Sequence, residues 1–399
     1  MALWVGSGVS NLGDGMRIAA LPLLAAQLTD SPLLVAAVTS AQFLPWLTFA
    51  PVGGALVDRW RRRETILVTQ LWRGAVMAAL AVIVAVDWAA IWHVYVVAAL
   101  ITVGEILVDP AVGALVPTMV HDDQLDAANA RIFGTEVATN EFAGAPLGSF
   151  LFTVAPWLPF VLDAVSYASS TAVFGLVPPT TAADPSARAG LKAEVFEGVR
   201  WLAGHPLLGP FTLVMALFNF GAVAGFALFV LLVTDVLGAS ELVYGAGLAL
   251  LALGGIASSM VASRLARVVG RFRLLVLASI MGPVFLGLAA AAPNVPVLLV
   301  AWFFVGTPAG LVMPVGRALQ QRLTPNHLLG RVSTASRFLT RGSMVVGSLI
   351  SGLVAALTSV RWGIGFGAGV ELVAGGLLAV VLRGHDLDGS GAAAEPAAT

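Results

Sequence analysis

No cysteine occurs in the 399 residues, lysine occurs once (Lys192), and Asp, Glu, Lys and Arg together make up only 11% of the chain. The missing thiols exclude a disulfide framework, a Cys-based zinc site and thiol catalysis. The five histidines stand without zinc-ligand spacing, and there is neither a phosphate-binding loop nor a convergent catalytic set. ATP is thereby excluded as an energy source, and no enzyme activity, metal or cofactor is expected. A net charge of −1 leaves no electrostatic footprint for nucleic acid. What the chain has instead is 58% hydrophobic residues, whereas soluble domains hold about 45–50% apolar and about 25% charged residues. Twenty arginines against one lysine, with abundant Ala, Val and Gly, point to a GC-rich bacterial genome.

Continuous apolar stretches of helical length recur along the chain, broken by short charged clusters and by Pro or Gly. They lack the alternation of a membrane barrel, so an all-α membrane protein is expected. Twelve spans are drawn at 2–28, 32–57, 65–86, 91–116, 132–154, 158–177, 208–234, 241–263, 273–291, 296–315, 332–357 and 362–382. Met1 to Thr29 lacks a basic n-region and a cleavage site and reads as the first span, although its abrupt opening leaves room for a short basic leader upstream. The predicted organisation is a six-helix bundle over 1–177, a central loop over 178–206, a second six-helix bundle over 207–383 and a disordered tail over 384–399. Within the central loop, Leu191–Leu202 is amphipathic and suited to lying flat at a membrane surface; a solvated linker is the plainer alternative.

Counting basic residues tests this topology. Of the 21, sixteen fall in loops or ends assigned to the side of the N-terminus: Arg59, Arg61, Arg62, Arg63, Arg131, Arg188, Lys192, Arg200, Arg264, Arg267, Arg271, Arg273, Arg317, Arg322, Arg331 and Arg383. The opposite loops hold Arg361, and Arg17, Arg73, Arg337 and Arg341 lie within spans. A single missed span would scramble the split, so both termini are expected on the cytoplasmic side of the cell membrane.

The loop after span 2 reads Gly53-Gly54-Ala55-Leu56-Val57-Asp58-Arg59-Trp60-Arg61-Arg62-Arg63, and the loop after span 8 repeats its pattern from Ser263 to Arg271, with Ser263 in place of the acid. The first resembles the signature loop of the major facilitator superfamily, with Trp60 and Arg61 where a Gly is often found. Ser10-Asn11-Leu12-Gly13-Asp14-Gly15, Gln42-Phe43-Leu44-Pro45-Trp46, Asp109-Pro110 and His205-Pro206-Leu207-Leu208 are similar to the bacterial efflux branch that includes the enterobactin exporter. The resemblance implies two pseudo-symmetric six-helix bundles around a cavity that opens alternately to each side. It also implies a conformational latch at Gly54, Asp58, Arg59, Arg62 and Arg63. Gly144-Ala145-Pro146-Leu147-Gly148-Ser149 resembles the Gly-Pro motif of the antiporters with two departures, and span 4 lacks the Arg of many drug/proton antiporters.

Charges inside spans cost about 2.5–3.5 kcal/mol each at the bilayer centre and usually face a cavity or a partner. Asp14 and Arg17 share one helix face, either as a self-neutralising pair or as a protonatable carboxylate that its Arg releases. Glu105 and Asp109 form a like-charge pair one turn apart, a design suited to carrying a proton, with Arg73 or Arg131 as alternative partners of Asp109. Glu141 is placed deep in span 5, Glu136 nearer the surface, and Asp163 toward a solvated outer end. Arg337 and Arg341 suggest an anionic ligand or acidic partners such as Glu371, and Asn219 in span 7 is a better cavity candidate than any single aromatic. The substrate- and proton-binding set is therefore Asp14, Arg17, Glu105, Asp109, Glu141, Asn219, Arg337 and Arg341. The function expected is a monomeric secondary transporter, surrounded by lipid, that exports an amphipathic small molecule (a drug, siderophore or other natural product) in exchange for protons. Uptake and lysophospholipid translocation by the same fold are the alternatives.

Overall fold

The computed structural model describes residues 2–50, 53, 60–119, 121, 124–177, 191–325 and 328–383, and among them every regular element is helical. We number the helices α1 (Ala2–Leu28), α2 (Pro32–Thr48), α3 (Arg62–Ala85), α4 (Ile91–Met119), α5 (three consecutive segments, Leu125–Glu136, Val137–Gly144 and Ala145–Val154) and α6 (Leu158–Phe174). After them come α7 (Leu191–Gly204), α8 (Leu208–Leu231, continued by Leu232–Val236), α9 (Glu241–Val269), α10 (Arg271–Ala291), α11 (Val295–Leu323), α12 (Leu329–Leu357) and α13 (Val360–Leu382). Among the described residues eight helices are long and apolar enough to cross a membrane, and α2 and α6 are shorter apolar helices. Helices dominate because lipid offers no partner for a free backbone amide or carbonyl. Apart from α7, the helices correspond to the twelve predicted spans and form two six-helix bundles. Several run past the predicted apolar limits: α9 continues to Val269 and α11 to Leu323, carrying their basic residues on helix.

In the first bundle α1 packs on α6 and α5, α3 on α6 and α4, and α2 on α4; in the second, α8 packs on α13 and α12, α10 on α13 and α11, and α9 on α11. Small residues set the closest approach. Gly306 and Gly310, one turn apart on α11, lie against the α9 backbone, where a Cβ at Gly306 would stand 1.9 Å from the Leu251 carbonyl. Ser258 on α9 then reaches the Thr307 carbonyl at 2.8 Å. Such contacts replace the hydrophobic drive that lipid does not supply between helices.

The segment Val137–Gly144 within α5 is π-helical. Pro146 has no amide hydrogen for an i−4 bond, and the Ala145 N–H reaches back five residues to the Asn140 carbonyl. The amphipathic stretch of the central loop is helical over Leu191–Gly204 and docks on α12, with the Arg331 backbone against Gly198 and an Arg331–Glu197 ion pair. Residues 178–190 of the predicted central loop over 178–206, and the tail over 384–399, lie outside the described residues.

The bundles meet along α2 and α12 and along α5 and α9. Most of the basic residues among those described stand at one end of the molecule, called here the basic end. At the opposite, far end a single apolar core runs through both bundles, uniting Leu21, Val35, Leu80 and Phe152 with Leu228, Tyr244, Trp302 and Ala355. Ser40 of α2 and Ser348 of α12 close this seam hydroxyl to hydroxyl at 2.6 Å. Toward the basic end the cores separate: Ile66, Leu107 and Phe174 belong to one bundle, and Phe211, Leu275 and Leu378 to the other. Among the described residues, one apolar core joins the bundles at the far end and each bundle keeps its own core toward the basic end.

Candidate functional site

The ionisable groups of the first bundle converge on one cluster. Asp14 and Arg17 come from α1, Gln70 and Arg73 from α3, Glu105 from α4, and Asp163, Ser166, Tyr167 and Ser170 from one stripe of α6. Asp14 Oδ1 accepts from Arg73 Nη2 at 2.7 Å, Arg17 Nη2 at 3.0 Å and the Tyr167 hydroxyl at 2.6 Å. Arg17 Nη2 also donates to Glu105 Oε1 at 2.7 Å, which lies 3.5 Å from Arg73 Nη2. Arg73 packs over the Tyr167 ring at 4.3 Å and donates to Gln70 Oε1 at 3.1 Å. Gln70 in turn donates to Ser10 and Ser170, and Ser170 donates to the Gly6 carbonyl.

Three features give this cluster chemical scope. Three carboxyls and two guanidiniums sum to −1 when all are ionised, so one added proton balances them. Asp163 is fully buried, its Oδ2 is without a hydrogen-bond partner, and the nearest cation atom, Arg17 Nε, is 3.9 Å away. Glu105, by contrast, keeps 28% of its side chain exposed while Arg17 and Arg73 are sealed at 4% and 3%. The cluster thus has a closed inner end at Asp163 and an open one at Glu105.

Of the residues predicted from sequence, Asp14, Arg17 and Glu105 share this cluster. Asp109 is exposed one turn beyond Glu105, and Glu136 and Glu141 are exposed on α5. Arg341, half-buried on α12, crosses to the first bundle, lying 5.1 Å from the Phe43 ring and 5.3 Å from Trp46. There it is within electrostatic reach of Glu105 and Asp109. Arg337 is exposed beside it. The side chain of Asn219 is half-buried and turns onto its own helix, donating to the Met215 carbonyl at 2.7 Å. Arg63 of the basic loop donates to the Gly175 carbonyl at the end of α6, and Arg62 is half-buried; Gly54, Asp58 and Arg59 lie outside the described residues.

Glu105 and Asp109 stand one turn apart on α4, and Glu105 also reaches two guanidiniums. Three expectations need correction. Arg73 ion-pairs with Asp14 rather than Asp109, because its side chain reaches across to α1 beside the Gln70–Ser10 bond. Asp163 is sealed rather than solvated. Glu371 partners neither Arg337 nor Arg341 but lies within the second bundle against Gly221 and Gly282. Sequence reasoning missed Gln70 and Tyr167. A signal existed, for Asp163, Ser166, Tyr167 and Ser170 follow the i, i+3, i+4, i+7 spacing of one helix face.

A protein-family model described as a transmembrane secretion effector matches residues 1–396. The MFS-type transporter YceJ of Bacillus subtilis is 25% identical over 336 residues, covering 84% of this chain and 83% of its own. The multidrug efflux pump Tap of Mycolicibacterium fortuitum is 25% identical, covering 86% of each. Among solved structures, an inward-facing bacterial homologue of the iron transporter ferroportin superposes with a TM-score of 0.73 at 18% identity, covering 95% and 96%. A bacterial homologue of ferroportin in the outward-facing state reaches 0.62 at 18% identity, covering 95% and 97%.

Proposed function

Because this chain belongs to the transmembrane secretion effector family, within the major facilitator superfamily of transporters, we propose that it exports an amphipathic small molecule from the cell by alternating access in exchange for protons. The observation that carries the reading is the five-group cluster, one proton short of balance, with its open end at Glu105. In this mechanism Asp14, held by three donors, stays the fixed anion. The exchangeable proton divides between Asp163 inside and Glu105 at the mouth, and Arg17 follows the charge between them. A cationic substrate group arriving at Glu105 competes with the proton for its carboxylate and drives the proton off.

The sixteen-to-one distribution of basic residues supports placing the basic end, with both termini, in the cytoplasm of a cell membrane. The parted basic end is then inward-open, a reading supported by the closer superposition on the inward-facing ferroportin homologue than on the outward-facing one. The kinship to a multidrug efflux pump favours export, and Asp109, Glu141, Asn219, Arg337 and Arg341 stand as the substrate-contacting candidates. The loop from Gly54 through Asp58, Arg59, Arg62 and Arg63 is the proposed latch between states. The bundles act as units over 1–177 and 207–383, in a monomer.

Inverted membrane vesicles test this directly. With an acid interior and a fluorescent amphipathic dye outside, wild type accumulates the dye. Asp14→Asn and Glu105→Gln lose that accumulation at least tenfold while still exchanging dye without a gradient. Accumulation that survives collapse of the gradient refutes proton coupling. Movement in the opposite sense, or transport of lysophospholipid instead of dye, replaces export by uptake or lipid translocation.

A further inference from the structure

The second bundle holds an acid of its own. Glu371 lies eleven residues into α13, about 16 Å along the helix axis, and is 4% exposed, with its Oε2 lacking a hydrogen-bond partner. Its neighbours are glycines: a Cβ on Gly221 of α8 would stand 2.9 Å from the Glu371 Cβ, and one on Gly282 of α10 would stand 3.4 Å from Oε1. The first bundle repeats the arrangement. A Cβ on Gly13 of α1 would meet Asp163 Oδ1 at 2.3 Å, and one on Gly74 of α3 would meet the same helix at Ala164 and Tyr167. The pairs 13 and 221, 74 and 282, 163 and 371 share one offset of 208 residues. Glu371 is the internal counterpart of Asp163.

The same offset shows what the second bundle has lost. Arg17 is matched by Gly225, Arg73 by Met281, Asp14 by Ala222, Gln70 by Ala278, Tyr167 by Gly375 and Ser170 by Leu378. Leu286 and Trp302 occupy the space beside Gly225, at 2.6 and 3.4 Å from a Cβ built there. Every polar partner is gone and the acid remains.

No cation replaces them. Glu371 faces α8 and α10 directly, and α12 and the Leu232–Val236 turn also pack on α13. Their charged groups are Asp235, bonded to Thr234; Arg271 and Arg273 in the first turn of α10; and Arg331, Arg337 and Arg341 on α12. On α13 itself, Arg361 caps the Ala290 carbonyl and Arg383 follows the last turn. Arg331 pairs with Glu197, Arg341 lies over Phe43 and Trp46, and none of these groups forms an ion pair with Glu371 among the described residues.

A lone carboxylate in such surroundings has no compensation for its lost hydration, and a bound proton supplies it. We propose that Glu371 is a second proton-binding site, holding one proton as a neutral carboxylic acid in the inward-open conformation. Where the first bundle answers its buried acid with guanidiniums, the second answers with a proton. The proposal stands apart from proton-coupled export, for Glu371 can hold its proton whether or not transport is coupled.

Infrared difference spectroscopy of the purified protein in lipid bilayers at neutral pH decides it. Subtracting the spectrum of Glu371→Gln from wild type should leave the C=O stretch of one carboxylic acid, shifted to lower frequency after exchange into heavy water. Glu371→Leu, which keeps the apolar packing without an amide, should give the same band, so the result does not depend on one variant folding. A difference spectrum containing the two carboxylate stretches, or no carboxylic band, overturns the proposal. Gradient-independent dye movement in the vesicle assay would refute coupling and leave this band unchanged.

Discussion

At the residue scale, Arg73 shows how a charge earns its place at membrane depth. One guanidinium serves Asp14, Gln70 and the Tyr167 ring together. Removing one partner of a buried pair leaves an uncompensated charge and costs about 3–5 kcal/mol. Arg73→Ala should therefore lower the midpoint of thermal unfolding in detergent sharply. Arg73→Lys should recover only part, because an ammonium keeps the charge but not the planar fork that reaches Asp14 and Gln70 at once; an unchanged midpoint in both variants refutes the structural role. The Asp14–Arg17 contact was legible from the three-residue spacing alone. Arg73's partner was not, because nothing local in α3 says that α1 lies opposite it. Glu371 was misassigned for the same reason: its distance from Arg341 depends on the packing of α13 behind α8.

At the element scale, the start of α8 depends on a histidine. His205 Nδ1 accepts from the backbone N–H groups of Leu207 and Leu208, at 3.2 and 3.0 Å, across Pro206, which has no N–H to offer. The ring must be neutral at that nitrogen to accept, and burial holds its pKa below the ordinary 6.5. A depressed histidine pKa contributes stability that is present above the unfolded value and lost as pH falls through the folded one. Capping groups of this kind are worth about 1 kcal/mol, so His205→Ala should destabilise by about that much above pH 7 and converge with wild type as the pH falls below the ordinary 6.5 and through the lowered value. Parallel stability curves across that range would refute the cap. The helices themselves were largely readable from hydropathy and Pro–Gly punctuation. The π-helical turn in α5 was not: Pro146 announces an interruption, but not whether it becomes a kink, a break or a five-residue reach to Asn140.

At the scale of the whole molecule, twelve spans and their alternation were readable because lipid imposes length and charge rules on every segment. Where the cores of the two bundles join was not, since length and charge rules act on each span separately. The far-end seal is made of apolar contacts and hydroxyls, with Gly352 of α12 packed closely within it: a Cβ there would stand 2.7 Å from Ala36 and 3.0 Å from the Leu33 backbone. Gly352→Leu should therefore force the seal apart and favour the opposite conformation. The absence of native cysteine makes this measurable, with spin labels attached through Asp30→Cys and Thr358→Cys at the far ends of α2 and α12. Their separation should widen in Gly352→Leu, and an unchanged distance distribution would show that the contact does not set the equilibrium. The charge cluster of the first bundle has a consequence in electrical terms. With one proton bound its five groups sum to zero, and reorientation carries no charge through the membrane field. Without it they sum to −1, and moving one charge across the full field is worth about 2.3 kcal/mol per 100 mV. In the export cycle proposed above, membrane voltage acts on this charge in only one leg, the outward passage of the unprotonated, substrate-loaded carrier, and it acts through one half of the molecule.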